Sequence, residues 1–184
     1  MPDKLLLHRL ADGDRRAFDT LVNDHKDLVF NVCYGYLRDH MEAEDLAQEV
    51  FIEVSRSVKG FRKDAKISTW LYRIAVNKCL DRIRYLKRDK RSGEHETPAL
   101  YIEDPNPSPQ DQLESNERKK VLWNALRKLP DKQHTVIVLA SIEGLSYAEI
   151  SAVMELTTGA IESLIFRAKK KLKALLEEHY ESIR

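Results

Sequence analysis

Apolar residues recur at steps of three and four through most of this chain, a pattern that predicts helices and no strands. From Ala17 to Tyr36, the residues Phe18, Leu21, Val22, Leu28, Val29, Val32, Cys33 and Tyr36 form one stripe of an amphipathic helix. A second helix begins where Asp39 can cap it and Glu42 can answer three residues later, with Leu46, Val50 and Val54 along its apolar side. After Gly60 a loop of mixed charge runs to Ile67. Ser68 then reads as the N-cap of a helix that turns Leu71, Ile74, Ala75, Cys79 and Ile83 inward. Three or four helices are expected to pack together before about residue 90.

The periodicity lapses between Ser92 and Gln112, where Pro98, Pro105, Pro107 and Pro109 fall among Glu94, Glu96, Glu103, Asp104 and Asp111. Repeated proline removes backbone donors and fixes φ, so this stretch is expected to be extended. The stripe returns with Val121, Leu122, Ala125, Leu126 and Leu129 and is stopped by Pro130. A helix rich in Val, Ile and Leu follows from Asp131 to Ile142 and is closed by Gly144. Ser146 and Glu149 have capping-box spacing for a short third helix, and Thr157, Thr158 and Gly159 turn the chain into a fourth. The expected fold is all-α, with two small helical domains over residues 1–91 and 114–184. An extended acidic, proline-containing linker over 92–113 joins them, and the second ends in a helix-turn-helix.

A chain of 184 residues suffices for two such domains, each with a modest core. The formal charge is only +1, so a case for nucleic acid rests on where the cations cluster. One cluster, Arg82, Arg84, Lys87, Arg88, Lys90 and Arg91, follows Trp70 and Tyr72 and surrounds Tyr85, offering the charge and stacking that single strands require. The other, Arg167 to Lys173 with Lys170 among it, lies on the last helix of the helix-turn-helix and suits duplex phosphates. Plainer readings stand beside these. Trp70 equally fits a core, Asn77 reads as a buried cap or a base contact, and a helical hairpin that only packs has the same spacing as the helix-turn-helix. Asp45, Gln48 and Glu49, at i, i+3 and i+4, share one helix face that meets solvent or a partner.

Other classes are disfavoured. No phosphate-cradling glycine loop, nucleophile elbow or His-Glu-x-x-His pair occurs, so neither catalysis, a metal nor a cofactor is expected. Cys33 and Cys79 sit in apolar-periodic segments and read as small core residues in a reducing compartment rather than as a disulfide. No apolar run is long enough to span a bilayer and the N-terminus lacks a signal-peptide pattern, so a cytoplasmic protein is expected, with no membrane insertion of this chain.

Three segments carry a family resemblance. Ala43-Glu44-Asp45-Leu46-Ala47-Gln48-Glu49-Val50-Phe51, then Ser68-Thr69-Trp70-Leu71-Tyr72-Arg73-Ile74-Ala75, then Leu145 to Leu172 after Leu129-Pro130, resemble the extracytoplasmic-function group of sigma-70-type RNA polymerase sigma factors. The resemblance covers almost the whole chain in the right order. It implies that Asp45, Gln48 and Glu49 dock on the clamp helices of the largest subunit of core polymerase, and that the flap region of the core is a second partner. It further implies that Lys63, Lys66, Arg73 and Asn77 contact promoter backbone and flipped bases at the minus-ten element, with Arg82 in the basic stretch behind them and Trp70 a packing residue. Ser163, Phe166 and Arg167 match the family's contact positions for the minus-thirty-five element, and an anti-sigma factor is an implied partner. The linker resembles the family's connector, whose negative charge mimics nucleic acid.

The recognition helix departs from the family. Where the family often carries Gly-Thr-Val-Lys-Ser-Arg, this chain reads Gly159-Ala160-Ile161-Glu162-Ser163-Leu164, with an acid and an apolar residue in place of two cations. Glu162 repels phosphate but suits cytosine N4, so weaker binding and altered base preference are both open. The rival function class is a free-standing helix-turn-helix regulator. Such a protein would need its own dimer interface, and no heptad seam or extra dimerisation helix is visible. A third class, a helical adaptor that binds only protein, leaves both basic clusters unexplained.

Overall fold

In a computed structural model, described over residues 3–61, 66–92 and 109–181, every regular element is helical. The helices up to Ser92 build one compact unit and those from Pro109 onward build most of another. The first holds α1 (Asp3–Ala11), α2 (Arg15–Leu37), α3 (His40–Ser57), a single 3-10 turn (Val58–Gly60) and α4 (Ile67–Ser92). The second holds α5 (Pro109–Arg127), α6 (Asp131–Ile137) with a π-helical continuation over Val138–Ile142, α7 (Tyr147–Met154) and α8 (Thr158–Glu181).

In the first unit α2, α3 and α4 pack mutually, and the stripes read from the sequence supply the core. Leu21, Val29 and Val32 of α2 meet Leu46, Val50 and Val54 of α3 and Leu71, Ala75 and Cys79 of α4, all buried. Cys33 and Cys79 are both free and buried, and their thiols adjoin between α2 and α4; burial first, then Cys33, pushes the Cys79 thiol well up from its ordinary value. Helix α1 adds Leu6, Leu7 and Leu10, a second stripe that covers α2. Asp14 caps α2 by accepting from the amides of Arg16 and Ala17 at 2.9 and 3.3 Å. It also takes a 2.7 Å hydrogen bond from Arg9 Nε, so one carboxylate fixes the corner between α1 and α2.

Two helix starts differ from the sequence reading. Asp39 caps α3 through the amide of Glu42 at 3.1 Å, but the Glu42 carboxylate does not reach back and the capping box stays half-formed. Helix α4 starts at Ile67, and Trp70 N already donates to Lys66 O at 3.2 Å, so Ser68 lies inside the first turn rather than capping it. The left-handed α2 terminus at Arg38 (φ 56°) is covered by stacking of its guanidinium on Tyr34, 4.3 Å from the ring centroid.

The second unit buries Leu126, Leu129, Val136, Val138, Leu139 and Ile150 against Ile161, Leu164, Ile165 and Ala168 of α8. Residues 93–108, the centre of the proline-containing linker, lie outside the described residues, and α5 begins at Pro109, within the stretch read as linker. Proline suits the first helical turn because its missing donor has no intrahelical acceptor there. Gly144 takes φ +67° beyond the π-helical segment, as a closing glycine requires.

Candidate polymerase and promoter interfaces

Helix α7 carries a complete capping box: Ser146 Oγ accepts from Glu149 N at 3.3 Å, and Glu149 Oε2 accepts from Ser146 N at 3.0 Å. The following turn is made differently from the sequence reading. Glu155, at φ 54°, takes the left-handed position, and Leu156 N donates to Ser151 O at 3.2 Å. Thr157 Oγ1 then accepts from Ala160 N at 3.2 Å and starts α8, so Gly159 is an ordinary helical residue and not the turn glycine.

Helix α8 sorts its residues sharply. Ile161, Leu164, Ile165 and Ala168 are buried, whereas Ser163, Phe166, Arg167 and Lys170 are all exposed on one face, with Phe166 70 % accessible. Two of these side chains also bond to their own helix: Ser163 Oγ donates to Gly159 O at 2.9 Å and Arg167 Nε donates to Ser163 O at 3.1 Å. Leu164 is therefore part of the core rather than of the outward face. A short helix capped into position, a tight turn and a second helix with an exposed aromatic and cations have the arrangement of a helix-turn-helix.

On α3 the sequence-read face is exposed: Asp45, Gln48 and Glu49 all point away from the core. Two apolar side chains on the same arc escaped the sequence reading, Met41 at 73 % and Ile52 at 48 % accessible. An acidic face alone is commonly only solvated, but large apolar groups set among its acids match the composition of a protein interface. Lys78 of α4 lies 3.9 Å from Glu49 and 4.0 Å from Glu53, anchoring one edge of this face.

The minus-ten candidates lie on and before α4. Lys66 and Asn77 are exposed, Arg73 is half-buried, and Lys63 falls outside the described residues. Trp70 is half-buried with its ring 4.5 Å from that of Phe61, a packing contact that ties the first turn of α4 to the residue following the 3-10 turn. Arg82 points back to α3, where its Nε donates to Glu42 Oε2 at 3.0 Å. That hydrogen bond holds the Arg82 guanidinium above its ordinary value. Arg82 and Arg88 also lie over the exposed Tyr85 ring, 5.9 and 5.8 Å from its centroid, so an aromatic ring and two cations are offered together. Among the described residues no cluster of three His, Cys, Asp or Glu could hold a metal, and no helix is long and apolar enough to cross a membrane.

Comparison with known proteins matches these elements segment by segment. Residues 21–89 match the model of sigma-70 region 2, and residues 119–172 match that of sigma-70 region 4. The ECF RNA polymerase sigma factor SigW of Bacillus subtilis is 35 % identical, covering 95 % of this chain and 97 % of that one. The RNA polymerase sigma-H factor of Pseudomonas aeruginosa is 33 % identical, with 96 % of each chain covered. Among solved structures, CnrH in complex with the cytosolic domain of CnrY superposes with a TM-score of 0.65 at 28 % identity, over 96 % of this chain and 97 % of that one. The sigma factor RpoE bound to the anti-sigma factor NepR from Bartonella quintana shares the fold, with a TM-score of 0.64 at 21 % identity over 87 % and 96 %. With an exposed acidic helix in the region 2 match, a basic recognition helix in the region 4 match, and relatives similar from end to end, the chain belongs to the extracytoplasmic-function group of sigma-70-type RNA polymerase sigma factors.

Proposed function

We propose that the first unit docks on core polymerase through the α3 face of Asp45, Gln48 and Glu49 and opens the minus-ten element with Lys63, Lys66, Arg73, Asn77 and Arg82. The second unit reads the minus-thirty-five element through Ser163, Phe166, Arg167 and Lys170. Among these roles the α3 face has the firmest support, because Met41 and Ile52 give it the mixed apolar and acidic surface of a partner site. Its partner is the clamp of the largest core subunit, and the flap region meets the second unit. The two domains are proposed as 1–91 and 114–184 with the acidic connector between them, α5 itself starting earlier, at Pro109. The chemistry of RNA synthesis belongs to the core polymerase, so this chain acts as a specificity subunit without catalysis, and it works in the cytoplasm with the chromosome.

A free-standing regulator fits less well, since the chain matches region 2 as well as region 4. An anti-sigma factor is a further proposed partner of this chain: CnrH, similar over nearly its whole length, was solved bound to a second protein, the cytosolic domain of CnrY. Run-off transcription with bacterial core polymerase on a fragment library of the source genome tests the reading. Discrete start sites that appear only with this protein and share two upstream elements are the expected result. Absence of such starts, together with tight duplex binding by the chain alone, would favour the free-standing regulator.

A further inference from the structure

Charge is graded along α8. From Thr158 to Phe166 there is no Lys or Arg, and Glu162 is the one ionised side chain; from Arg167 to Lys173 five of seven residues are cations. In a helix-turn-helix the N-terminal part of the second helix meets base edges while cations elsewhere meet phosphates. Glu162 is exposed, one residue from Ser163 and one turn from Phe166, and it has no ion-pair partner among the described residues. Its carboxylate is not explained by the helix dipole, which acts within the first turn, whereas Glu162 is the fifth residue of α8.

We infer that Glu162 is a specificity-determining residue that selects cytosine at one position of the minus-thirty-five element. In the major groove a carboxylate can only accept, and cytosine presents the N4 amino donor with no acceptor on the same base. Guanine offers O6 and N7 and thymine offers O4, all acceptors that repel a carboxylate, and adenine sets its N6 donor beside the N7 acceptor. Of the two positions where the family often carries a cation, Leu164 is buried, so Glu162 is the one that alters the charge of the outward face. This inference rests on the reading of the second unit as the reader of the minus-thirty-five element.

Holoenzyme reconstituted from bacterial core polymerase and the full chain tests it by run-off transcription from a promoter library with a fixed minus-ten element and a randomised minus-thirty-five element. The native chain is expected to enrich cytosine at one position, Glu162→Arg to enrich guanine there, and Glu162→Gln to enrich adenine. Each variant should lose about tenfold or more on the native element. Matching circular dichroism melts would confirm that the exposed substitutions leave the fold intact. Identical enriched sequences for all three chains, differing only in yield and salt dependence, would overturn the inference and make Glu162 a plain source of phosphate repulsion. A native chain with no preference anywhere in the randomised stretch would instead overturn the reading of the second unit, and Glu162 selection with it.

Discussion

The Arg82 guanidinium grips a single carboxylate oxygen of Glu42, forty residues earlier in the chain, and so ties the middle of α4 to the first turn of α3. Both groups are more than a third exposed, so water screens the pair. Its main effect is positional: it holds the start of the proposed polymerase-docking helix against the helix proposed to open the promoter. A double-mutant cycle with Arg82→Ala and Glu42→Ala should give a coupling of about 0.5 to 1 kcal/mol by urea unfolding. Coupling indistinguishable from zero would show the contact to be energetically idle.

Docking through α3 is tested by its apolar members as well as its acids. Asp45→Lys with Glu49→Lys, and separately Ile52→Lys, should each weaken core-polymerase binding about tenfold or more in a fluorescence-anisotropy titration. Because Ile52 is solvent-facing, the change should shift unfolding stability by no more than about 0.5 kcal/mol. Undiminished binding by both variants would remove the face from the interface.

Lys170 and Phe166 should separate electrostatic from base contact. Lys170→Ala should weaken duplex binding on all sequences alike and reduce the slope of log affinity against log salt by about 1. Phe166→Ala should leave that slope unchanged and reduce discrimination among minus-thirty-five sequences. Undiminished discrimination by Phe166→Ala would mean that Phe166 reads no base.

The capping box supports the whole recognition element. Ser146→Ala removes the acceptor for Glu149 N and should cost about 1 kcal/mol, visible as faster hydrogen exchange of the first α7 amides. Unchanged exchange would show that α7 is held by packing alone.

Two titrating groups set opposite ends of a pH profile. The Arg9 hydrogen bond, with the capping amides, holds the Asp14 carboxyl below its ordinary 3.8, so its stabilising contribution is present above that value and is lost as pH falls through the lowered one. The Cys79 thiol is raised above 9.0, so its contribution is complete below 9.0 and fades as pH rises toward the raised value, because the unfolded thiol ionises first. Asp14→Asn should flatten the acid limb of a thermal-melt series, and Cys79→Ala the alkaline one. A thiol reagent at pH 8 should modify neither cysteine until the chain is unfolded; prompt labelling of the native chain would contradict their burial.

Local patterns made much of this fold legible. The stripes of α2, α3 and α8 and the Ser146–Glu149 box were readable because their partners lie within four residues on one helix. Relations across the chain were not. Nothing near Glu42 signals that its carboxylate is taken by Arg82 rather than by the α3 start, and the left-handed turn falls on Glu155 although Gly159 stands close by. The sequence reading was silent on α1, whose leucines gain meaning only once α2 is there to receive them. Glu162 and Leu164 looked like one paired departure until burial separated them.

That separation bears on how this protein can change its target genes. Between Ile161 and Ala168 the core claims Ile161, Leu164, Ile165 and Ala168, leaving Glu162, Ser163, Phe166 and Arg167 at the surface. Substitutions at the outer four carry little folding cost, whereas most at the inner four carry a large one. With α8 reading the promoter as proposed, new preferences would arise by drift through four letters of an eight-letter word, while the other four keep the word spelling a helix.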